Sequence, residues 1–118
     1  MSAKRPQVAF SLETLESLAH SLKTGLMKTD RVTLSDDMVP GLRAIIRDTG
    51  LISFHVQYSI GKSRPYLKIG DVPGMSVEEA RKLARTILEL ARQGIDPQSG
   101  LHERLIRELT EQGANWRP

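Results

Sequence analysis

The chain of 118 residues contains no cysteine, which excludes a disulfide scaffold, a thiolate metal site and a cysteine nucleophile. Aromatic residues make up only 4% of it, which is few for a protein that stacks single-stranded bases. Its longest apolar runs cover only a few residues, far fewer than the ~20 that a transmembrane helix needs. The first ten residues lack the apolar segment of a secretory signal, so we expect a cytoplasmic protein with no membrane partner.

The charge of the chain is modestly basic and unevenly distributed. Lys and Arg number 17 against 14 Asp and Glu, which gives a net charge of +3. Between residues 41 and 70, five cations stand against Asp48 alone, so this segment carries 5 − 1 = +4. A basic segment within a single small domain favours an anionic partner such as nucleic acid.

Apolar spacing predicts three helices after a loose arm of residues 1–10. The first covers residues 12–25 and begins after Ser11, a residue type that caps helix N-termini. The second covers residues 76–93 and begins with a capping box, Ser76-Val-Glu-Glu79, before ending at Gly94. A third pattern covers residues 101–112.

Between the first two helices, the side chains alternate between apolar and polar in three segments separated by short turns that contain glycine. Such a pattern predicts a three-stranded antiparallel meander with one apolar face and one polar, cationic face. The three predicted strands are residues 42–47, 51–60 and 64–69. A β-prone run at residues 31–34 is a candidate for a short fourth strand.

These elements predict an α+β fold in which a three-stranded antiparallel sheet is packed on one face by an α-helix, with flanking N- and C-terminal helices. The apolar stripe of the helix at 76–93 suits the apolar face of the sheet. The predicted organisation is an N-terminal arm and helix (1–30), a sheet and helix domain (31–97) and a C-terminal helix or linker (98–118).

The polar face of the predicted sheet carries the candidate binding residues. Arg and Lys neutralise phosphates, Gln pairs with adenine, and Ser, His and Tyr supply smaller contacts. The candidate DNA-binding residues are Arg43, Arg47, Ser53, His55, Gln57, Ser59, Lys62, Arg64, Tyr66 and Lys68. Composition by itself favours a different interpretation, a solvated face that protects the sheet from aggregation.

Other kinds of chemistry find little support in the sequence. The three histidines lie in separate predicted elements, so we expect no metal site, and no acid, base and nucleophile set indicates catalysis or a cofactor. On the second helix, Arg81, Lys82 and Arg85 are predicted to share the exposed side as solubilising charges.

Six short motifs in order resemble the amino-terminal arm-binding domain of prophage tyrosine integrases. They are Asp37-Met-Val-Pro-Gly-Leu-Arg43, Gly50, Phe54-His-Val-Gln-Tyr58, Leu67-Lys-Ile-Gly70, Met75-Ser-Val-Glu-Glu-Ala-Arg81-Lys-Leu-Ala84 and Gly94-Ile-Asp-Pro97. The resemblance covers residues 37–97. Two departures are that the strands carry fewer basic residues than is usual in the family, and that Ile69 stands where a leucine is usual.

The resemblance implies that the domain binds double-stranded DNA at arm-type attachment sites and addresses a recombinase to them for integration and excision. It also implies that the catalytic residues lie on a separate domain, as they would if this chain were a fragment, and that the integrase core, its catalytic domain or other protomers are partners. It shifts our interpretation of the polar face from a solvated surface to a DNA-binding one. An alternative function of another class is a small protein-interaction module that uses the sheet edge or the C-terminal helix.

Overall fold

The structure is a computed structural model, and it describes residues 7–98. Two helices and five strands follow one another along this part of the chain. They are β1 (Gln7–Val8), α1 (Leu12–Lys23), β2 (Arg31–Asp36), β3 (Leu42–Arg47), β4 (Ile52–Gln57), β5 (Tyr66–Asp71) and α2 (Val77–Arg92). The predicted helix at 101–112 lies outside the described residues, as does nearly all of the predicted linker at 98–118.

The strands form one sheet in the order β1-β2-β3-β4-β5. The four strands from β2 to β5 are antiparallel neighbours, and the short β1 pairs with β2 in parallel. The predicted α+β class is confirmed, but the predicted number of three strands is wrong. The candidate strand at 31–34 is a full member of the sheet and extends to Asp36.

Two polar residues explain why β2 was underestimated. Ser35 and Asp36 resemble the start of a turn in the sequence, yet both are buried within the strand. The arm of residues 1–10 is also predicted to be loose. Residues 1–6 lie outside the described residues, but Gln7 and Val8 pair with β2 and Phe10 is buried. Both errors have one physical cause, because the partners that hold these residues are far away in the sequence.

Asp36 is the partner that joins three distant parts of the chain. Its side chain is fully buried and accepts two hydrogen bonds from the Arg81 guanidinium, at 2.9 and 3.0 Å. It also accepts hydrogen bonds from the backbone N–H groups of Phe10 and Val39. Arg81 in turn donates to the backbone carbonyl of Phe10 at 3.2 Å. The ion pair therefore ties α2 to β2 and to the segment that precedes α1.

The prediction that Arg81 is a solubilising surface charge is therefore wrong, since its side chain is only 11% exposed. Burial by itself would raise the pKa of Asp36, but the hydrogen bonds from Arg81 and from the backbone of Phe10 outweigh it and lower that pKa. The adjacent carboxylate, Asp37, is exposed. The chain thus places the structural carboxylate one residue before the Asp37 quoted in the family motif.

Both helices begin where their capping residues predict. The Ser11 hydroxyl accepts a hydrogen bond from the backbone N–H of Thr14, and α1 ends at Lys23, two residues before the predicted boundary. The capping box of Ser76 and Glu79 is present at the start of α2. At its end the N–H of Ile95 donates to the carbonyl of Leu90, which is the predicted glycine-type terminus.

The core lies between the sheet and the two helices, which cover the same sheet face. Alternate residues of β3 and β4 point into it, and the side chains of Leu42, Ala44, Ile46 and Phe54 are fully buried. Tyr58, which continues the same alternation just past the end of β4, is also buried, at 2% exposed. Among residues 7–98, no helix packs on the opposite face of the sheet.

The β4–β5 hairpin is less regular than the sequence predicts. β4 ends at Gln57 instead of residue 60, and β5 covers residues 66–71 instead of 64–69. Pro65 has no N–H to donate to a ladder, although its carbonyl accepts from the N–H of Tyr58. The hairpin closes beyond this gap with two hydrogen bonds between Ile60 and Ser63, around the predicted turn at Gly61.

Candidate nucleic-acid interface

The face of the sheet opposite the helices is the candidate site, and we call it the outer face. Strand alternation places on it the residues of β2 to β5 whose neighbours point into the core. It comprises Arg31, Thr33, Ser35, Arg43, Ile45, Arg47, Ser53, His55, Gln57, Tyr66, Lys68 and Asp71. Seven of the ten residues predicted to bind DNA therefore share this surface.

A row of three basic or polar side chains crosses the middle of the outer face. Arg43 on β3 is paired in register with His55 on β4, which is paired with Lys68 on β5. The Arg43 guanidinium donates to Oε1 of Gln57 at 3.4 Å. Its Nε is buried and has no hydrogen-bond partner among residues 7–98. The row thus places a cation on each side of His55, with the Arg43 guanidinium already oriented by Gln57.

His55 is held in a fixed position at the centre of the row. Its Nε2 lies 3.0 Å from the Ser53 hydroxyl, and its ring meets that of Tyr66 edge to face, with the ring centres 6.4 Å apart. Burial lowers the pKa of His55, and the charges of Lys68 and Arg47 lower it further. Because that pKa lies below its ordinary value of 6.5, the neutral form of the imidazole predominates at pH 7.

Ser53 differs from the other predicted contact residues because it is only 4% exposed. Its hydroxyl is engaged with the His55 ring. Because it is buried and already bonded, the Ser53 hydroxyl is better placed to orient the His55 ring than to contact a ligand.

A β-bulge in β5 brings an acidic residue onto the outer face. Phe54 pairs with Gly70 and His55 pairs with Lys68, so Ile69 is the extra residue of β5. Beyond the bulge, Asp71 lies opposite Ser53 and forms an ion pair with Lys68, with Nζ 3.1 Å from Oδ1. The sequence does not indicate Asp71 as a residue of this face, because the predicted strand ends at residue 69 and a regular alternation continued from Lys68 would point Asp71 into the core.

The three remaining predicted contacts lie in the β4–β5 hairpin rather than on the outer face. Ser59, Lys62 and Arg64 are all exposed there. The side-chain amide of Gln57 donates to the backbone carbonyl of Arg64 at 3.4 Å, which connects the hairpin to the outer face. The hairpin thus extends the basic surface past the end of the sheet.

The cations of this surface outnumber its anions. On the outer face Arg31, Arg43, Arg47 and Lys68 stand against Asp71, which gives 4 − 1 = +3. Among residues 7–98, the only one of these four cations within 4.0 Å of a carboxylate is Lys68. No carboxylate among the described residues therefore competes with an anionic ligand for the three arginines.

Arg31 is a basic residue of the outer face that is not among the predicted DNA-binding residues. A signal was present, because Arg31 and Thr33 alternate with the apolar Val32 and Leu34. Four alternating residues are too few to show which face of the sheet Arg31 occupies, because the polar residues Ser35, Asp36 and Asp37 that follow indicate a turn instead of a longer strand. Within the described chain no cluster of three metal-ligating side chains occurs, and neither helix is long and apolar enough to cross a membrane.

Comparison with known proteins shows which family the chain belongs to. The family model for the arm DNA-binding domain matches residues 12–104, which includes α1, the antiparallel strands and α2. No curated protein sequence matches the chain significantly. The resemblance that the motifs carry is thus confirmed over a longer range than residues 37–97. The chain therefore belongs to the arm DNA-binding domain family.

Proposed function

We propose that this domain binds double-stranded DNA through its outer face and the β4–β5 hairpin, and that it addresses a tyrosine recombinase to attachment-site DNA in the cytoplasm. Membership of the arm DNA-binding domain family supports DNA as the partner. An arm DNA-binding domain is not itself catalytic, so strand cleavage is assigned to another part of a prophage or genomic-island integrase.

The observation that carries the proposal is the set of arginines on the outer face without carboxylate partners among the described residues. Lys and Arg side chains that neutralise phosphates release condensed counterions, and this release supplies most of the sequence-independent affinity for DNA. The DNA major groove is wide enough to admit β-strands, so side chains standing off the sheet reach base edges.

The residues divide into roles according to their exposure. Arg64 and Lys62 are exposed on the hairpin and suit contacts with phosphates. Arg43 and Gln57 are held by each other near the centre and suit contacts with base edges, since Arg pairs with guanine and Gln with adenine. Ser53 is assigned a positioning role through His55.

The alternative, a protein-interaction module, has less support from the described residues. An exposed sheet edge is the usual site for strand addition by a partner protein. Among the described strands β5 lies at an edge of the sheet, where it is interrupted by a bulge and carries the Lys68–Asp71 ion pair, features that protect an edge from pairing. The predicted C-terminal helix lies outside the described residues.

A titration of fluorescently labelled duplex DNA at two salt concentrations tests the proposal. We expect binding that weakens steeply with salt, and an Arg43→Ala variant that loses about 1 to 3 kcal/mol if it reads a base pair. Lys82→Ala is the control, because Lys82 is an exposed cation on α2, the helix that covers the other sheet face. Salt-independent binding, or equal losses in both variants, would contradict the proposal.

A further inference from the structure

Two arginines lie directly opposite each other at the β2 side of the outer face. Arg31 of β2 and Arg47 of β3 are partners in the antiparallel register, and both point away from the core. Arg31 is exposed and Arg47 is half-buried. Among residues 7–98, no carboxylate oxygen comes within 4.0 Å of either guanidinium.

This arrangement carries an energetic cost in the free protein. Like charges directly opposite each other on neighbouring strands destabilise a sheet, whereas an opposite-charge pair would stabilise it. An anion that lies between the two guanidiniums removes the repulsion and accepts charge-assisted hydrogen bonds from both. The pair of arginines is thus more stable with a phosphate bound between the two guanidiniums than in the protein without a ligand.

We infer that Arg31 and Arg47 together clamp one phosphate of the DNA backbone, an inference that rests on the proposed function. It adds β2 to the interface and assigns a role to Arg31, which was not among the predicted contacts. Each guanidinium offers its N–H groups in a planar fork that fits phosphate oxygens.

The spacing of the outer face fits such a clamp. Arg47 lies four residues beyond Arg43 on β3, which corresponds to about 13 Å along an extended strand. The major groove is about 12 Å wide. If β3 lies across the groove with the central row of Arg43, His55 and Lys68 inside it, a separation larger than the groove width leaves the clamp outside the groove, on the side of the backbone phosphates.

Arg31→Gln, Arg47→Gln and the double variant test the clamp, with Lys82→Gln as the matched control. Each is titrated with several unrelated duplexes over a range of salt. We expect the double variant to lower the slope of log affinity against log salt by about 0.9, which is the value of one phosphate. At about 0.1 M salt this corresponds to a loss of roughly eightfold, equal for all the duplexes.

Two further readouts separate a shared clamp from other roles. If both arginines hold one phosphate, the double variant loses less affinity than the two single losses combined. Because Arg31→Gln relieves a repulsion, its melting temperature stays at or above that of the wild type.

Several results would overturn the inference. They are additive losses, a changed preference among duplexes, a lowered melting temperature of Arg31→Gln, or affinities and salt slopes like those of Lys82→Gln. Those results would leave the proposed function standing as long as the wild type binds duplex DNA. A wild-type protein that does not bind at low salt would refute the proposed function and the clamp together.

Discussion

Removing the carboxylate of Asp36 should destabilise the domain far more than removing the carboxylate next to it. Asp36→Ala deletes both hydrogen bonds from the Arg81 guanidinium and leaves that cation nearly buried, with the backbone N–H groups of Phe10 and Val39 unpaired. Loss of one partner from a buried ion pair costs about 3 to 5 kcal/mol. Asp37→Ala, which truncates an exposed side chain, is the matched control and should change stability by less than about 0.5 kcal/mol.

The loss is large compared with the total stability of a small domain, which is about 5 to 15 kcal/mol. At about 4 to 8 °C per kcal/mol, the melting temperature of Asp36→Ala should fall by roughly 12 to 40 °C. Thermal and urea unfolding followed by circular dichroism measure both variants. Should Asp36→Ala be unfolded at room temperature, Asp36→Asn retains one acceptor oxygen and should show a smaller loss.

The pH dependence of unfolding supplies a second test of the same ion pair. The folded-state pKa of Asp36 lies below 3.8, so the unfolded chain takes up the proton first as the pH falls. The stabilisation is therefore present above about pH 4 and is lost as the pH falls through the folded-state pKa. Equal melting temperatures for Asp36→Ala and Asp37→Ala, with the same acid dependence, would refute this reasoning.

Three further predictions concern single side chains. A residue other than glycine at a positive φ costs about 1 to 2 kcal/mol. Gly41→Ala should destabilise the domain by more than this, because a Cβ there would also lie 2.8 Å from the carbonyl oxygen of Gln57. The control in urea unfolding is Gly61→Ala, which shares the positive φ but has open space around the new Cβ. The lowered folded-state pKa of His55 makes the unfolded chain bind that proton first, so the wild type should lose stability as the pH falls below about 6.5. His55→Gln should abolish this loss, and an unchanged pH profile of unfolding would contradict the reasoning. Tyr58→Phe removes a hydroxyl that donates to Asp96 at 2.8 Å and should cost about 1 kcal/mol in thermal unfolding, whereas no loss would indicate that the contact is dispensable.

Local signals in the sequence were sufficient for most of the fold. Ser11 and Ser76 marked the helix starts, Gly94 marked the end of α2, and the period-two alternation of β3 and β4 predicted which sheet face is apolar. Each of these signals depends on residues a few positions apart. The family motifs in the same segments led to the arm DNA-binding domain, which the family match confirms.

The parts that could not be predicted depend on partners distant in the sequence. The ion pair between Asp36 and Arg81 joins residues 45 positions apart, so Asp36 seemed to begin a turn and Arg81 seemed to be a surface charge. The bulge at Ile69 depends on the register of β5 against β4, and no pattern within β5 places Asp71 on the outer face. Arg31 was missed for a related reason, because its face is defined only once β2 is known to pair with β3.

The most direct test of DNA binding by the outer face is a nuclear magnetic resonance titration with duplex DNA at low salt. We expect the largest shifts at the side chains of the central row, Arg43 and His55, and at Arg64 in the hairpin. The amides around Lys82 on α2 serve as the internal reference and should not move. Shifts confined to α2, or spread along the β5 edge without the central row, would contradict binding by this face.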